Sequence, residues 1–246
     1  MQKKILLVGE SWTSTSTHVK GFDQFATATW HTGATDFLAA LADSPYAITY
    51  MPAHAAATDF PLTLEALQEW DAIILSDIGA NTLLLHPDTW LKSRRTANRL
   101  TLLHDYVAGG GALMMIGGYY SFQGINGGAR YRHTEVEKVL PVRCLAWDDR
   151  IETPEGCYAE VTESHPCLTI FRANGRGCWA ITKLKCTRKA NCWRPWPVPV
   201  IRCWLFANIS RVARWCGPAT CRRTGCRKSL PNGPAIASCG LTASTG

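Results

Sequence analysis

The chain has 246 residues, 46% of them apolar, which is the make-up of an ordinary globular protein with one large domain or two small ones. No apolar run is long enough to cross a membrane. The run at residues 5–8 is too short for a signal-peptide core and is followed at once by Gly9-Glu10, so it reads as a first strand and a cytoplasmic location is expected. The net charge of +7 averages two unlike parts: all 19 acidic residues lie at or before Glu163 beside 12 Lys and Arg, a charge of −7, and the 14 Lys and Arg that follow have no acid among them.

Residues 4–8 predict strand one, ending in Gly9-Glu10-Ser11-Trp12. The Ser/Thr run at 11–17 reads as loop. Residues 35–42 predict a helix, with Phe37 and Leu41 four apart on one face. Strand two, 47–51, is stopped by Pro52. A short helix at 64–70 has Thr63 placed to cap its first turn. Strand three, 72–75, leads into Ser76-Asp77-Ile78-Gly79-Ala80-Asn81. Residues 98–108 predict a helix with Leu100, Leu103 and Val107 on one face, ended by the positive φ that Gly109 to Gly111 allow. Residues 112–116 are a continuous apolar run, the pattern of a strand covered on both faces. Gly117-Gly118 then turns the backbone and delivers Tyr119 to Phe122. Thr134-x-x-Glu137 has the spacing of a capping box, and 158–161 predicts a late strand.

Strands alternating with helices imply right-handed crossovers and a mostly parallel sheet, an α/β fold. The ends of strands one, three and four then share one rim, the edge at which open α/β sheets bind ligands. That rim collects the candidate binding residues Glu10, Ser11, Trp12, Asp77, Asn81, Gly118, Phe122 and Gln123. Glu10 is either a general base or ligand-binding group, or a carboxylate that ties down the Ser/Thr run. Asp77 is either a site residue or a turn cap. Ser121 is a nucleophile if a base lies within reach, and otherwise a hydroxyl bonded to nearby backbone. Asp148-Asp149-Arg150 fits a polar-ligand or metal site, or a solvated turn with a local ion pair. His133 and His165 are lone histidines and carry little information. The glycines at 124–128 lack the Lys-Ser/Thr of a phosphate loop, so no nucleotide cofactor is expected.

Taken together, Gly9-Glu10-Ser11-Trp12, Lys20-Gly21-Phe22-Asp23, Ser76-Asp77-Ile78-Gly79-Ala80-Asn81, Gly117 through Gln123 and Asp148-Asp149-Arg150 resemble the Putative glutamine amidotransferase family, bacterial proteins of the class I glutamine amidotransferase-like type. The resemblance covers residues 1–167. It implies a flavodoxin-like three-layer sandwich and, as reaction class, amide hydrolysis or transfer from glutamine, with a small-molecule substrate that the sequence does not identify. It also implies a nucleophilic cysteine at a Gly-x-Cys-x-Gly elbow. The matching positions here are Gly117-Gly118-Tyr119-Tyr120-Ser121, so Tyr119 stands in the cysteine's slot, and the first 143 residues contain no cysteine. A phenol of pKa about 10 is a weak nucleophile at neutral pH without strong activation. Tyr119 and Ser121 are the remaining catalytic candidates, and the alternatives are a non-catalytic sugar- or metabolite-binding domain or an inactive pseudogene product.

Residues 168–246 read differently. Eight of the 11 cysteines lie from Cys178 onward, with five of the ten tryptophans. A basic tail ordinarily suggests nucleic acid. A slipped reading frame in a GC-rich gene explains this one better, because CTG leucine codons read out of step give Cys and Trp. When each codon is built from the third base of one residue and the first two of the next, Asn191-Cys192-Trp193 must give Leu-Leu and Trp179-Ala180 must give Gly. With permitted synonymous choices, residues 219–246 read DVSPHWLPQEFAEWPGYRQLWLNCLNW, which has an amphipathic helical ending and is similar to the way that family ends. The slip is placed near residues 168–173. Residues 1–167 are therefore expected to be an incomplete α/β domain and 168–246 an out-of-frame tail of low order. The tail contains no C-x-x-C and no histidine, so neither metal nor nucleic acid is expected there.

Overall fold

The computed structural model describes residues 2–157, 178–186 and 240–242. Its centre is a four-stranded parallel sheet of β1 (Lys3–Gly9), β4 (Tyr46–Met51), β5 (Ala72–Ser76) and β6 (Ala112–Ile116), in the order β4-β1-β5-β6. All four were legible as apolar runs. Chain direction across the sheet reverses between β1 and β5, so the crevice at their carboxyl ends is a topological switch point.

The helices form where the sequence caps them. α3 (Leu64–Gln68) begins at Thr63, whose Oγ1 accepts from Ala66 N–H at 3.3 Å. α6 (Arg99–Ala108) begins at Asn98, whose Oδ1 accepts from Leu100 and Thr101 N–H. It ends at Gly109, and Gly110 supplies the left-handed residue at φ 104°. α7 (Glu135–Val139) carries the capping box in altered form. Thr134 Oγ1 accepts from Glu137 N–H, while the Glu137 carboxylate accepts from His133 N–H, one residue earlier than in the usual box, and from Cys144 N–H. α1 (Thr35–Ala40) packs Phe37 inward.

Three helices had no clear sequence signal: α2 (Ala53–Asp59), α4 (Ala80–Leu84) and α5 (Pro87–Trp90). A second sheet joins β7 (Val142–Arg143), β8 (Arg150–Cys157), β9 (Cys178–Cys186) and β10 (Gly240–Thr242). β9 and β10 fall within the stretch read as out of frame. The expected strand at 158–161, His165 and the rest of the tail lie outside the described residues.

One expectation is corrected. The Ser/Thr run at 11–17 is not loop. It belongs to β2 (Ser11–Lys20), paired antiparallel with β3 (Asp23–Thr32) in an unbroken ten-pair ladder. Gly21, at φ 65°, makes the two-residue turn. Nearly every residue of this arm is exposed, so no apolar/polar alternation marks it. β-Branched threonines hold the strand conformation, and stacked cross-strand rings, Trp12 on His31 and His18 on Phe25, brace its two ends.

Arg99 joins the helical layer from within. It is fully buried, and its guanidinium donates to the carbonyls of Ala57 (2.9 Å) and Thr58 (3.0 Å) at the end of α2, with Ala56 and Leu83 farther off. Phe60 lies against its face. The negative end of α2 and these carbonyls replace the lost hydration of the charge. Arg99→Met is expected to leave those carbonyls unpaired and to lower unfolding stability by about 3 kcal/mol, read as a shifted urea midpoint.

Candidate functional site

Both strands flanking the crevice end in the same way. After β1 comes Glu10 at φ 47°, and after β5 comes Asp77 at φ 45°. A left-handed backbone at a residue with a side chain costs of order 1 kcal/mol or more and tends to mark functional turns. Here it sets two largely buried carboxylates at adjacent strand ends, near enough that the charge of Asp77 acts on Glu10. Glu10 N–H donates to Ser76 O at 2.7 Å, which ties the two turns together. Gly9 makes the approach possible: it sits at φ 102°, and a Cβ there would lie 2.0 Å from Ser76 O.

Glu10 is 6% exposed and bonded through Oε2 to the Ser76 hydroxyl at 2.5 Å. Its pKa is pushed up to about 7, first by burial and also by the charge of Asp77, with the Ser76 bond opposing. Gly33 leaves room for the carboxylate, since a Cβ there would meet Oε1. The Glu10 carbonyl accepts from Gly33 N–H at 2.9 Å and from the Tyr50 hydroxyl at 3.2 Å. The Asp77 pKa is likewise raised by burial, against the opposing bonds from Tyr120 and Tyr119 N–H. Its Oδ1 accepts from Tyr120 N–H at 2.6 Å. Gly118 must be a glycine for this contact, because a Cβ would lie 2.6 Å from the same oxygen.

The other predicted residues spread around this pair. Ser11 is buried and its hydroxyl accepts from Ala53 N–H, so it anchors α2. Ser121 is buried, and its Oγ accepts from Asp77 N–H at 3.2 Å. Phe122 is buried at φ 56°. Asn81 sits exposed on α4. Tyr119 is half exposed, with the Arg150 guanidinium 5.3 Å from its ring centre, and its backbone is not left-handed. Trp12 and Tyr120 are also about half exposed. Cys144 is buried in the core cluster that also holds Phe122 and Tyr131.

The run Asp148-Asp149-Arg150 divides its work. Asp149 is buried and accepts from Gln123 N–H (2.8 Å) and Gly124 N–H (2.9 Å), so it holds the turn after β6. Burial pushes its pKa up to about 6. Asp148 pairs with Arg150 at 3.1 Å and is held at about 2, first by that bond. No group of metal-ligating side chains occurs among the described residues. Sequence reasoning missed Gly33 and Tyr50 and, though it placed Ser76 at the end of its strand, the bond from Ser76 to Glu10, because these are contacts across strands that spacing along the chain does not show.

The sequence pattern of the Putative glutamine amidotransferase family matches residues 4–189, past the point where the motifs end. No curated protein matches the chain. Among solved structures, it is similar to Cytoplasmic Protein STM3548 from Salmonella typhimurium, with TM-score 0.72 and 38% identity over 75% of each chain. It is also similar to Cytoplasmic Protein STM1381 from Salmonella typhimurium LT2, with TM-score 0.71 and 41% identity over 76% of each chain. No helix among the described residues is long and apolar enough to cross a membrane.

Proposed function

The chain belongs to the Putative glutamine amidotransferase family, and from that premise we propose that this member binds a small, neutral, sugar-like metabolite at the β1/β5 crevice and does not run the thiolate glutaminase reaction. The observation that carries the proposal is the Glu10–Asp77 carboxylate pair at the switch point, with Tyr119 where the family's thiol would stand. Two neighbouring carboxylates repel anions and accept hydrogen bonds from hydroxyl or amide groups. Glu10, with its pKa near 7, is part protonated at neutral pH and can donate as well as accept. The half-exposed rings of Trp12, Tyr119 and Tyr120 offer apolar faces for the C–H side of a sugar.

Amide hydrolysis through Tyr119 or Ser121 is the competing reading. Two assays on the purified protein separate them. Incubation with glutamine is expected to release no ammonia above the blank. Monosaccharides at millimolar concentration are expected to raise the melting temperature by several degrees, and Asp77→Asn, which keeps an acceptor for Tyr120 N–H but removes the charge, is expected to weaken that effect at least tenfold. Ammonia release that disappears in Tyr119→Phe would overturn the proposal in favour of an enzyme.

A further inference from the structure

Glu10 combines a left-handed backbone, φ 47°, with a carboxylate that is 6% exposed. Neither follows from its own residue type, since side chains other than glycine disfavour that backbone and carboxylates favour water. Something outside Glu10 holds it, and its own polar groups show what. Its N–H donates to Ser76 O and its carboxylate accepts from the Ser76 hydroxyl, both at the end of β5. Its carbonyl is held from elsewhere. Gly33 N–H lies at 2.9 Å, the Tyr50 hydroxyl at 3.2 Å and the Thr32 hydroxyl at 3.4 Å.

Counting protons orders these contacts. A hydroxyl has one proton to give, and a carbonyl oxygen accepts about two bonds. Gly33 N–H takes the first place on the Glu10 carbonyl, and the Tyr50 hydroxyl, nearer than that of Thr32, takes the second. Thr32 Oγ1 then gives its proton to the Tyr50 oxygen, 2.9 Å away, and accepts from Ala34 N–H at 3.2 Å. The result is a chain from Ala34, at the start of α1, through Thr32 and Tyr50 to Glu10, in which each hydroxyl donates once and accepts once. Bonds linked in this way strengthen one another where water is partly excluded. Its members come from the end of β3, the start of α1, and β4, where Tyr50 pairs with Leu7 of β1.

Gly33 acts on the carboxylate as well. A Cβ there would lie 2.4 Å from Oε1 and 3.1 Å from Cγ of Glu10. Gly33 does not have a positive φ, so alanine meets no backbone penalty and its methyl presses on the carboxylate alone. The charged neighbour that acts on Glu10 is Asp77, at the end of β5. What reaches Glu10 from the arm and from β4 are hydroxyls and a backbone N–H.

We propose that the return end of the β2–β3 arm and β4 form the mount of Glu10: Tyr50, Thr32 and Gly33 are positioning residues that keep its backbone left-handed and its carboxylate buried against Ser76. The inference rests on the reading of Glu10 as a group that meets ligand, and it names what holds that group ready. The test reads the proton on Glu10 in the free protein. A chain that ignores monosaccharides would therefore sink the binding reading and leave this measurement intact.

Released from its mount, the carboxylate gains water and ionises at lower pH, so the pH dependence that it gives to folding shrinks. The share of Glu10 in the fall of the urea midpoint from pH 5 to 8 is the share that Glu10→Gln removes. At least half of it is expected to disappear in Tyr50→Phe, in Thr32→Val and in Gly33→Ala. Thr32→Ser, which retains the hydroxyl, is expected to keep it. In a Glu10→Gln background the same substitutions are expected to leave the remaining slope as it is. A midpoint lowered equally at every pH by Tyr50→Phe and Thr32→Val would overturn the proposal, because plain structural supports behave so. Slope changes of the same size in the Glu10→Gln background, a Thr32→Ser that behaves like Thr32→Val, or a Glu10→Gln with the parent's slope would overturn it as well. The two Thr32 variants decide the question if Tyr50→Phe does not fold.

Discussion

Gly9→Ala is expected to be the most damaging single methyl group in the described part of the chain. Two costs coincide. The backbone at residue 9 is at φ 102°, a conformation L side chains rarely adopt. The added Cβ would also lie 2.0 Å from Ser76 O, the carbonyl that accepts Glu10 N–H. Neither atom can yield alone, because both belong to paired strands of the sheet. β1 and β5 must part at the crevice, and Glu10 moves with them. The expected loss is about 4 kcal/mol, strain and overpacking together, read as a fall in urea midpoint and as loss of ligand-induced thermal shift. Gly21→Ala is the control. It too has positive φ, 65°, but nothing lies within 4 Å of its Cβ, so it should cost only about 1 kcal/mol. Equal effects at the two positions would show that backbone conformation alone, and not the approach to Ser76, sets the cost.

Glu10→Gln is expected to stabilise the protein at alkaline pH and to flatten its pH dependence. In the folded chain Glu10 has a pKa of about 7, against 4.5 for the free side chain. The native state therefore holds a proton that the unfolded chain has already released. The stability linked to this group is complete below pH 4.5 and is lost as pH rises through 7. At about 1.4 kcal/mol per unit, the full loss is about 3 kcal/mol. Burial is its first cause, so the amide, which has no charge to desolvate and can still bond Ser76, should recover most of it. Asp149, raised to about 6, and Asp77, raised as well, act in the same direction and leave some slope in the variant. Asp148, held at about 2, acts oppositely, but only below about pH 4. Urea midpoints from pH 5 to 8 should fall steeply in the parent and less in the variant. Parallel curves would mean that Glu10 is charged in the native state throughout, and its place in the proposed site would go with that.

Much of this was legible in the residues. The four central strands are short apolar runs because parallel strands are covered on both faces. α6 could be bounded because Asn98 and Gly109 are local signals, read within a turn of where they act. The arm was not legible. Both of its faces meet water, so the period-two contrast that reveals a strand is missing from Ser11 to Thr32. α2 was hidden for a related reason: a run of alanines after Pro52 has no apolar face to detect, and Ser11 and Arg99, far away in sequence, fasten its two ends.

The candidate site divides along the same line. Glu10, Asp77 and Gly118 could be named because polar residues directly following apolar strands stand out by position. Their chemistry could not. Whether Glu10 is an ordinary carboxylate or one with a pKa near 7 depends on Ser76 and Asp77 arriving beside it from β5. Spacing likewise does not tell that Ser121 meets Asp77 N–H, or that Asp149 meets the turn at Gln123 and Gly124.

By itself, the sequence determined the parallel α/β core, the family, the lack of cysteine from Gly117 to Gln123 and the break in composition after Glu163, because each is written in neighbouring residues. Only the tertiary structure decided which carboxylates are desolvated together and which backbone N–H groups they meet. Those are properties of groups brought within a few ångströms from distant parts of the chain, where burial and charge act through space and not along the backbone.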